Sequence, residues 1–134
     1  MTAHKNTLIL GGARSGKSRF ALEMAQDLAR SAGARPGMIA TAQAFDSEME
    51  ERIARHKAER GPEWLNAEES LDIAAALASF PADCGAVVVD CLTLWLSNIM
   101  HHDRDVEAET AALVAALEQA QMPILLVSNE VGLG

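Results

Sequence analysis

Residues 11 to 18 combine glycines, a lysine and a hydroxyl residue at a spacing that suits phosphate binding. In order they are Gly11, Gly12, Ala13, Arg14, Ser15, Gly16, Lys17 and Ser18, which matches G-x-x-x-x-G-K-[ST]. Glycines let backbone N–H groups turn toward a phosphate, and the start of a following helix adds positive potential. In this motif Lys17 bridges the outer phosphates and the Ser18 hydroxyl ligates Mg²⁺. The segment therefore predicts a site for a nucleoside triphosphate with Mg²⁺.

A second acidic component of such a site is expected at the end of a buried strand. Asp90 follows the apolar run 86–89 (Ala-Val-Val-Val), so its carboxylate is the predicted partner of Mg²⁺. An alternative is that Asp90 is the N-cap of a helix that begins near Leu92. Ser128, Asn129 and Glu130 follow the last apolar run and fall on the same carboxyl edge, where parallel sheets bind ligands.

His56 is the third candidate for chemistry, but its spacing alone favours a structural role. On a helix, Met49, Ile53, His56 and Arg60 share one stripe, which predicts an interior or interface histidine. A neutral imidazole is also a good nucleophile toward an α-phosphate. The flanking cations can neutralise phosphate charge or form a solvated helix face; they are Arg52, Arg55, Lys57 and Arg60.

The elements that would position these residues alternate between strands and helices. The predicted strands are Thr7–Leu10, which is read as buried, Met38–Thr41, Ala86–Val89 and Ile124–Ser128. The predicted helices are Lys17–Ser31, Asp46–Arg60, Glu68–Ser79, Leu92–His101 and Val106–Gln121. The first helix is predicted to have one apolar face, made of Phe20, Met24 and Leu28 with Ala21, Ala25 and Ala29 beside them, and Pro36-Gly37 is predicted to form a turn. This order predicts an α/β fold with a parallel sheet and right-handed crossovers.

Length and composition indicate one soluble globular domain. The chain has 134 residues, 49% of them hydrophobic, with 19 acidic and 11 basic residues and a net charge of -8. This balance argues against a nucleic-acid or acidic-membrane binder. Two cysteines make no disulfide framework, no apolar run approaches the ~18 residues of a membrane span, and no signal peptide is apparent. We therefore expect a cytoplasmic protein without membrane insertion.

Three further features are read as structural. His101-His102-Asp103 is interpreted as a helix end rather than a metal site, because adjacent histidines point in different directions on a helix. Trp64 and Trp95 are interpreted as packing residues, with Trp64 the better candidate for a site.

Beyond the phosphate loop, an ordered set of residues resembles a known enzyme family. The set comprises Ile39-Ala40-Thr41-Ala42-Gln43, then Asp46, Glu48, Met49, Arg52, Ile53 and His56, then Trp64 and Glu68, and finally Asn129-Glu130-Val131-Gly132. It is similar to the bifunctional adenosylcobinamide kinase/adenosylcobinamide-phosphate guanylyltransferase family of cobalamin biosynthesis. Asn66 departs from the family pattern, which usually has threonine there. The family continues with a basic helix and a final strand, so residues 1–134 are expected to be a single P-loop domain without them.

The resemblance implies a RecA-like P-loop NTPase fold, two activities and a set of site residues. ATP or GTP would phosphorylate adenosylcobinamide, and GMP from GTP would pass through a histidine to the new phosphate. The guanylylated histidine corresponds to His56, and a homotrimer is expected. The implied nucleotide contacts are the phosphate loop, Ala40, Thr41, Ala42, Lys57, Ala58, Glu59, Arg60, Glu68 and Asp90. Alternatives are another small-molecule kinase or a non-catalytic nucleotide-binding module.

Overall fold

The computed structural model describes residues 6–12, 15–43 and 45–129. The strands are β1 (Thr7–Gly11), β2 (Arg35–Ala40), β3 (Leu65–Glu68), β4 (Cys84–Asp90) and β5 (Ile124–Asn129). The helices are α1 (Lys17–Ser31), α2 (Ser47–Arg60), α3 (Ile73–Ala78), α4 (Leu92–His101) and α5 (Val106–Gln119). The predicted alternation of strands and helices is confirmed.

The five strands form one parallel sheet in the order β1-β5-β4-β2-β3. Gly11 lies opposite Asn129, and Ala40 lies opposite both Asp90 and Glu68. Because all strands run the same way, these ends meet at one carboxyl edge of the sheet. The end of β1 thereby joins the ends of β4, β2 and β3 at the edge where α/β sheets bind ligands.

The core lies on both faces of the sheet, which explains why β4 is apolar without alternation. Val87 and Val89 belong to one cluster with Trp95 of α4. Ala86 and Val88 belong to a second cluster with the alanines of α1. Burying both faces leaves the carboxyl edge as the place where polar side chains can gather.

Helix α1 packs most closely through its alanines, with Leu22, Met24 and Leu28 partly buried against the same cluster. Ala21, Ala25 and Ala29 are fully buried, whereas Phe20 is 57% exposed. Close approach of α1 to β4 accounts for this, because a Cβ added at Gly85 would lie 2.9 Å from the Ala29 Cα. The apolar face is therefore centred on the alanines, and the prediction that Phe20 belongs to it is wrong.

We expect Gly85→Ala to destabilise the fold by about 1–3 kcal/mol, because overpacking forces the backbone of α1 away from the sheet. The added methyl group would also lie 2.8 Å from the Ala34 Cβ. Urea unfolding measures the effect. Gly12→Ala is the matched control, because its added Cβ meets nothing within 4 Å. Equal unfolding free energies for the two variants would contradict the close packing.

Three segment predictions are wrong for reasons of tertiary structure. The sequence does not predict β3, because four residues, three half-buried and one exposed, show too little periodicity, and pairing with β2 decides the strand. The helix expected from Glu68 begins at Ile73, since the Glu69 carboxylate accepts hydrogen bonds from the N–H groups of Leu71 and Asp72. Pro36-Gly37 lies inside β2 rather than in a turn; pairing with β3 starts only at Gly37, so the missing proline N–H is not needed there.

The buried-strand interpretation of β1 is also only partly right. Ile9 is buried, but Leu8 and Leu10 are 55% and 56% exposed. Leu8 and Leu10 share one face of β1, and among the described residues that face is left largely uncovered, whereas Ile9 packs on the other face. No helix in the described ranges is long and apolar enough to span a membrane.

Candidate functional site

The loop between β1 and α1 places a lysine ammonium over a glycine turn at the carboxyl edge. Gly16 adopts the left-handed conformation with φ 79°, which suits glycine, and it forms the N-cap of α1. Lys17 is 9% exposed, and its Nζ donates a 2.8 Å hydrogen bond to the Gly12 carbonyl oxygen. The lysine side chain therefore folds back over the turn. Ala13 and Arg14 lie outside the described residues.

The loop also leaves room and free donors for an anion. A Cβ at Gly11 would collide with the Ser15 hydroxyl, so a side chain there would fill the turn. Gly16 offers no side chain to cap α1, and the first turn of that helix contains no acidic residue. Its first N–H groups and the helix dipole are therefore directed at whatever occupies the turn, an arrangement that favours phosphate.

Asp90 at the end of β4 meets this loop through Ser18. The Ser18 hydroxyl donates a 3.2 Å hydrogen bond to the Asp90 Oδ2. Burial raises the pKa of the Asp90 carboxyl above its ordinary value, while the hydrogen bond from Ser18 and the charges of Lys17, Arg60 and His56 act in the opposite direction.

The alternative role for Asp90 as a helix N-cap is wrong. Cys91 is the N-cap of α4, and its Sγ accepts from the Leu94 N–H.

We expect Asp90→Asn to keep or raise the stability of the metal-free protein while weakening its dependence on Mg²⁺. A raised carboxyl pKa means that folding favours the protonated form, so ionisation of Asp90 costs stability as pH rises from the ordinary value of 3.8 through the raised value. Asparagine removes that cost, about 1 kcal/mol or less, and its Oδ1 can still accept from Ser18.

Urea unfolding from pH 4 to pH 7 and Mg²⁺ titration of phosphoryl transfer test this expectation. The stability of Asp90→Asn relative to the natural chain should grow as pH rises, and half-maximal activity should need about tenfold or more Mg²⁺. Asp83→Asn, an exposed change just before the same strand, is the control. An unchanged Mg²⁺ titration would remove Asp90 from the metal site.

Arg60, the last residue of α2, brings positive charge to the same edge. Its Nε and Nη2 donate to the Asn66 Oδ1 at 3.0 and 2.6 Å. Partial burial lowers the pKa of Arg60, and the nearby charges of Asp90 and Glu68 raise it. Asn66, the position at which the sequence departs from the family pattern, thus fixes the guanidinium between two carboxylates.

His56 lies on an exposed face of α2. Every residue of Ser47–Arg60 is described, and no side chain among them is buried. Of the two predicted placements, interior or interface, the interior one is therefore wrong, and the interface one stays a prediction. The charge of His56 is near enough to Asp90 to act against the raised pKa of that carboxyl, the smallest of the contributions to it. The neighbouring residues implied as nucleotide contacts, Lys57, Ala58 and Glu59, are exposed as well.

Thr41 follows β2 and is fully buried, so its side chain is unsuited to direct contact with a ligand. Its hydroxyl donates to the Cys91 carbonyl and accepts from the Cys91 N–H, at 2.9 and 2.8 Å. Its N–H donates to the Asp90 carbonyl. Thr41 thus joins the ends of β2 and β4, while Ala40 and Ala42 on either side are half-buried.

Asn98 of α4 is a residue of the site region that the sequence alone does not identify. Its amide donates to the carbonyl oxygens of Thr41 and Ser70, at 2.8 and 3.1 Å, and the side chain is 6% exposed. The available signal was a polar residue between Trp95 and Ile99 on the buried face of an apolar helix. Helical periodicity shows only that a polar residue interrupts the apolar face of the helix. It does not show which groups that residue hydrogen-bonds.

The residues read as structural are placed as expected. Trp64 is 4% exposed and lies in the core, and the Trp95 indole N–H donates to the Leu71 carbonyl. α4 ends at His101, as the prediction of a helix end there requires. Ser128 and Asn129 end β5 beside Thr93. Glu130, Val131 and Gly132 lie outside the described residues.

Three features define the class of protein: the parallel sheet, the glycine loop with its lysine, and the acidic residue at a strand end. This is a RecA-like P-loop nucleotide-binding protein. A DnaB-like replicative helicase shares the fold, with a TM-score of 0.57 at 12% identity over 93% of this chain and 38% of the helicase chain. Residues 7–134 match the family model described as cobinamide kinase / cobinamide phosphate guanyltransferase, and the chain belongs to that family.

Two curated relatives agree with the family model. The bifunctional adenosylcobalamin biosynthesis protein CobP of Pseudomonas aeruginosa is 48% identical over 129 residues, which cover 95% of this chain and 72% of the relative. The bifunctional adenosylcobalamin biosynthesis protein CobU of Salmonella typhimurium is 31% identical in an alignment that covers 95% of this chain and 76% of the relative. The match therefore extends over nearly the whole chain.

Proposed function

We propose that the chain is an adenosylcobinamide kinase/adenosylcobinamide-phosphate guanylyltransferase that acts through Lys17 and His56. The class of reaction in this proposal is supported by the match to the family model and to the curated relative CobP. The assignment of roles to particular residues is supported by one observation. The phosphate loop, Asp90 and the cationic end of α2 lie together at one edge of the sheet.

For the first reaction, ATP or GTP binds with its phosphates in the turn between Gly11 and Ser18. The N–H groups at the start of α1 hold the phosphate oxygens, and Lys17 leaves the Gly12 carbonyl to neutralise the charge that develops on the γ-phosphoryl group. The acceptor is the aminopropanol hydroxyl of adenosylcobinamide. Its oxygen forms a bond to the γ-phosphorus as the bond from that phosphorus to the leaving diphosphate breaks.

Mg²⁺ suits the oxygen donors that Ser18 and Asp90 present. Mg²⁺ is usually held by one or two protein oxygens, with water and substrate phosphates completing its coordination. A hydroxyl and a carboxylate within hydrogen-bond distance fit this pattern. When bound, the ion neutralises charge on the phosphate oxygens.

For the second reaction, the exposed imidazole of His56 attacks the α-phosphorus of GTP. An N–P bond forms, the bond to the bridging oxygen breaks, and pyrophosphate leaves with the electron pair. A phosphate oxygen of adenosylcobinamide phosphate then attacks the same phosphorus and releases the imidazole, giving adenosylcobinamide-GDP. Arg52, Arg55 and Lys57 surround His56 along α2 and offset the phosphate charge.

Labelled GTP tests the proposal and separates it from its alternatives. After incubation with Mg²⁺ and denaturation, the chain should carry one covalent GMP, released in acid and stable in base. A kinase without the guanylyl step would phosphorylate adenosylcobinamide and carry no GMP. A non-catalytic module would bind nucleotide and do neither. Sedimentation of the same samples tests the proposed homotrimer.

A further inference from the structure

We propose that Asn98 is a positioning residue that holds the start of α2, and with it His56, relative to the phosphate loop. This inference rests on the proposed function, because it concerns the delivery of His56 to nucleotide. Asn98 itself lies beneath the loops of the carboxyl edge, on the buried side of α4.

Helix α2 needs such an anchor because its own packing does not fix it. None of its side chains is buried, although Met49 and Ile53 are half-buried. Its position is therefore set largely by its two ends. At the far end, the two hydrogen bonds from Arg60 to Asn66 tie the helix to β3.

At the near end, residues 41–43 of the connection from β2 are held by Asn98, by Ser70 and by His102, whose Nε2 lies 3.2 Å from the Gln43 Nε2. The Asn98 amide donates to the Thr41 carbonyl, and the Gln43 amide donates to the Ser70 hydroxyl at 3.1 Å. Asn98 also donates to the Ser70 carbonyl, so one buried amide joins the loops that follow β2 and β3. In a buried setting, losing that donor leaves two carbonyl groups without partners.

The phosphate loop does not depend on this anchor. Lys17 and Ser18 are positioned by β1, α1 and β4, through contacts with Gly12 and Asp90. Thr41 keeps its own partners in Cys91, so the junction of β2 and β4 survives loss of the Asn98 amide. What that loss releases is the Ser70 loop, and with it the Gln43 contact that precedes α2. Removing Asn98 should therefore impair the guanylyl step far more than the kinase step.

The test compares the two activities in Asn98→Leu and Asn98→Ala. Leucine removes the donors at similar volume, and alanine leaves space for a water molecule that can satisfy both carbonyls and preserve folding. We expect the rate of GMP adduct formation, per folded molecule, to fall at least tenfold, and phosphoryl transfer to change less than threefold. Ser97→Ala, an exposed change on the same helix, should leave both rates unchanged.

Hydrogen exchange across residues 45–60 supplies a readout that needs no activity. It should accelerate in both Asn98 variants while exchange in α1 stays unchanged. Equal losses of both activities, or unchanged exchange in α2, would overturn the inference. If the natural chain forms no GMP adduct, the proposed function fails, and exchange alone decides whether Asn98 holds α2.

Discussion

His56→Ala should abolish the acid-labile GMP adduct while leaving most phosphoryl transfer to adenosylcobinamide. The adduct requires a nucleophile that can later leave, and the imidazole of His56 is exposed on α2, whose last residue, Arg60, affects the pKa of Asp90. The kinase step requires the phosphate loop, Mg²⁺ and an acceptor hydroxyl, none of which includes His56. Labelled GTP measures the first activity, and phosphate transfer from labelled ATP measures the second.

His101→Ala is the matched control, because His101 is also an exposed helical histidine but lies at the end of α4. It should form the adduct at the natural rate. An adduct that persists in His56→Ala would move the nucleophile to another residue. Equal loss of both activities would instead make His56 a structural part of a shared nucleotide site.

Lys17→Ala should lower kcat/KM for phosphoryl transfer by about a thousandfold, which corresponds to about 4 kcal/mol of transition-state stabilisation. Lys17 is nearly buried and reaches back over the glycine turn, so its charge is held over the turn in which we propose that the phosphates bind. Among the described loop residues, Gly11, Gly12 and Ser15 to Ser18, it is the one cation.

Arg30→Ala is the control for this change, since Arg30 is an exposed cation in the last turn of the same helix. It should reduce activity less than twofold, because exposed ion pairs contribute little. Steady-state kinetics at saturating Mg²⁺, with circular dichroism to verify folding, measures both variants. Turnover of Lys17→Ala within a few-fold of the natural chain would contradict the phosphate-loop assignment.

The amino-acid sequence by itself determined the features that depend on short spacing. The turn before Lys17, the start of α2 near Asp46 and the apolar run that ends at Asp90 each lie within a few residues of chain. Local rules for glycine turns, helix starts and buried strands therefore suffice to predict them. The family resemblance depends on such segments in order, and the family model confirms it.

Tertiary structure decided what depends on residues far apart in the chain. The strand β3 exists through pairing with β2, and the exposure of Phe20 follows from close contact between α1 and Gly85. Asn98 finds its partners 57 and 28 residues away, at Thr41 and Ser70. Periodicity reports which side of an element is apolar but not which distant carbonyl a buried amide meets, because that pairing is set only when the loops of the sheet edge converge.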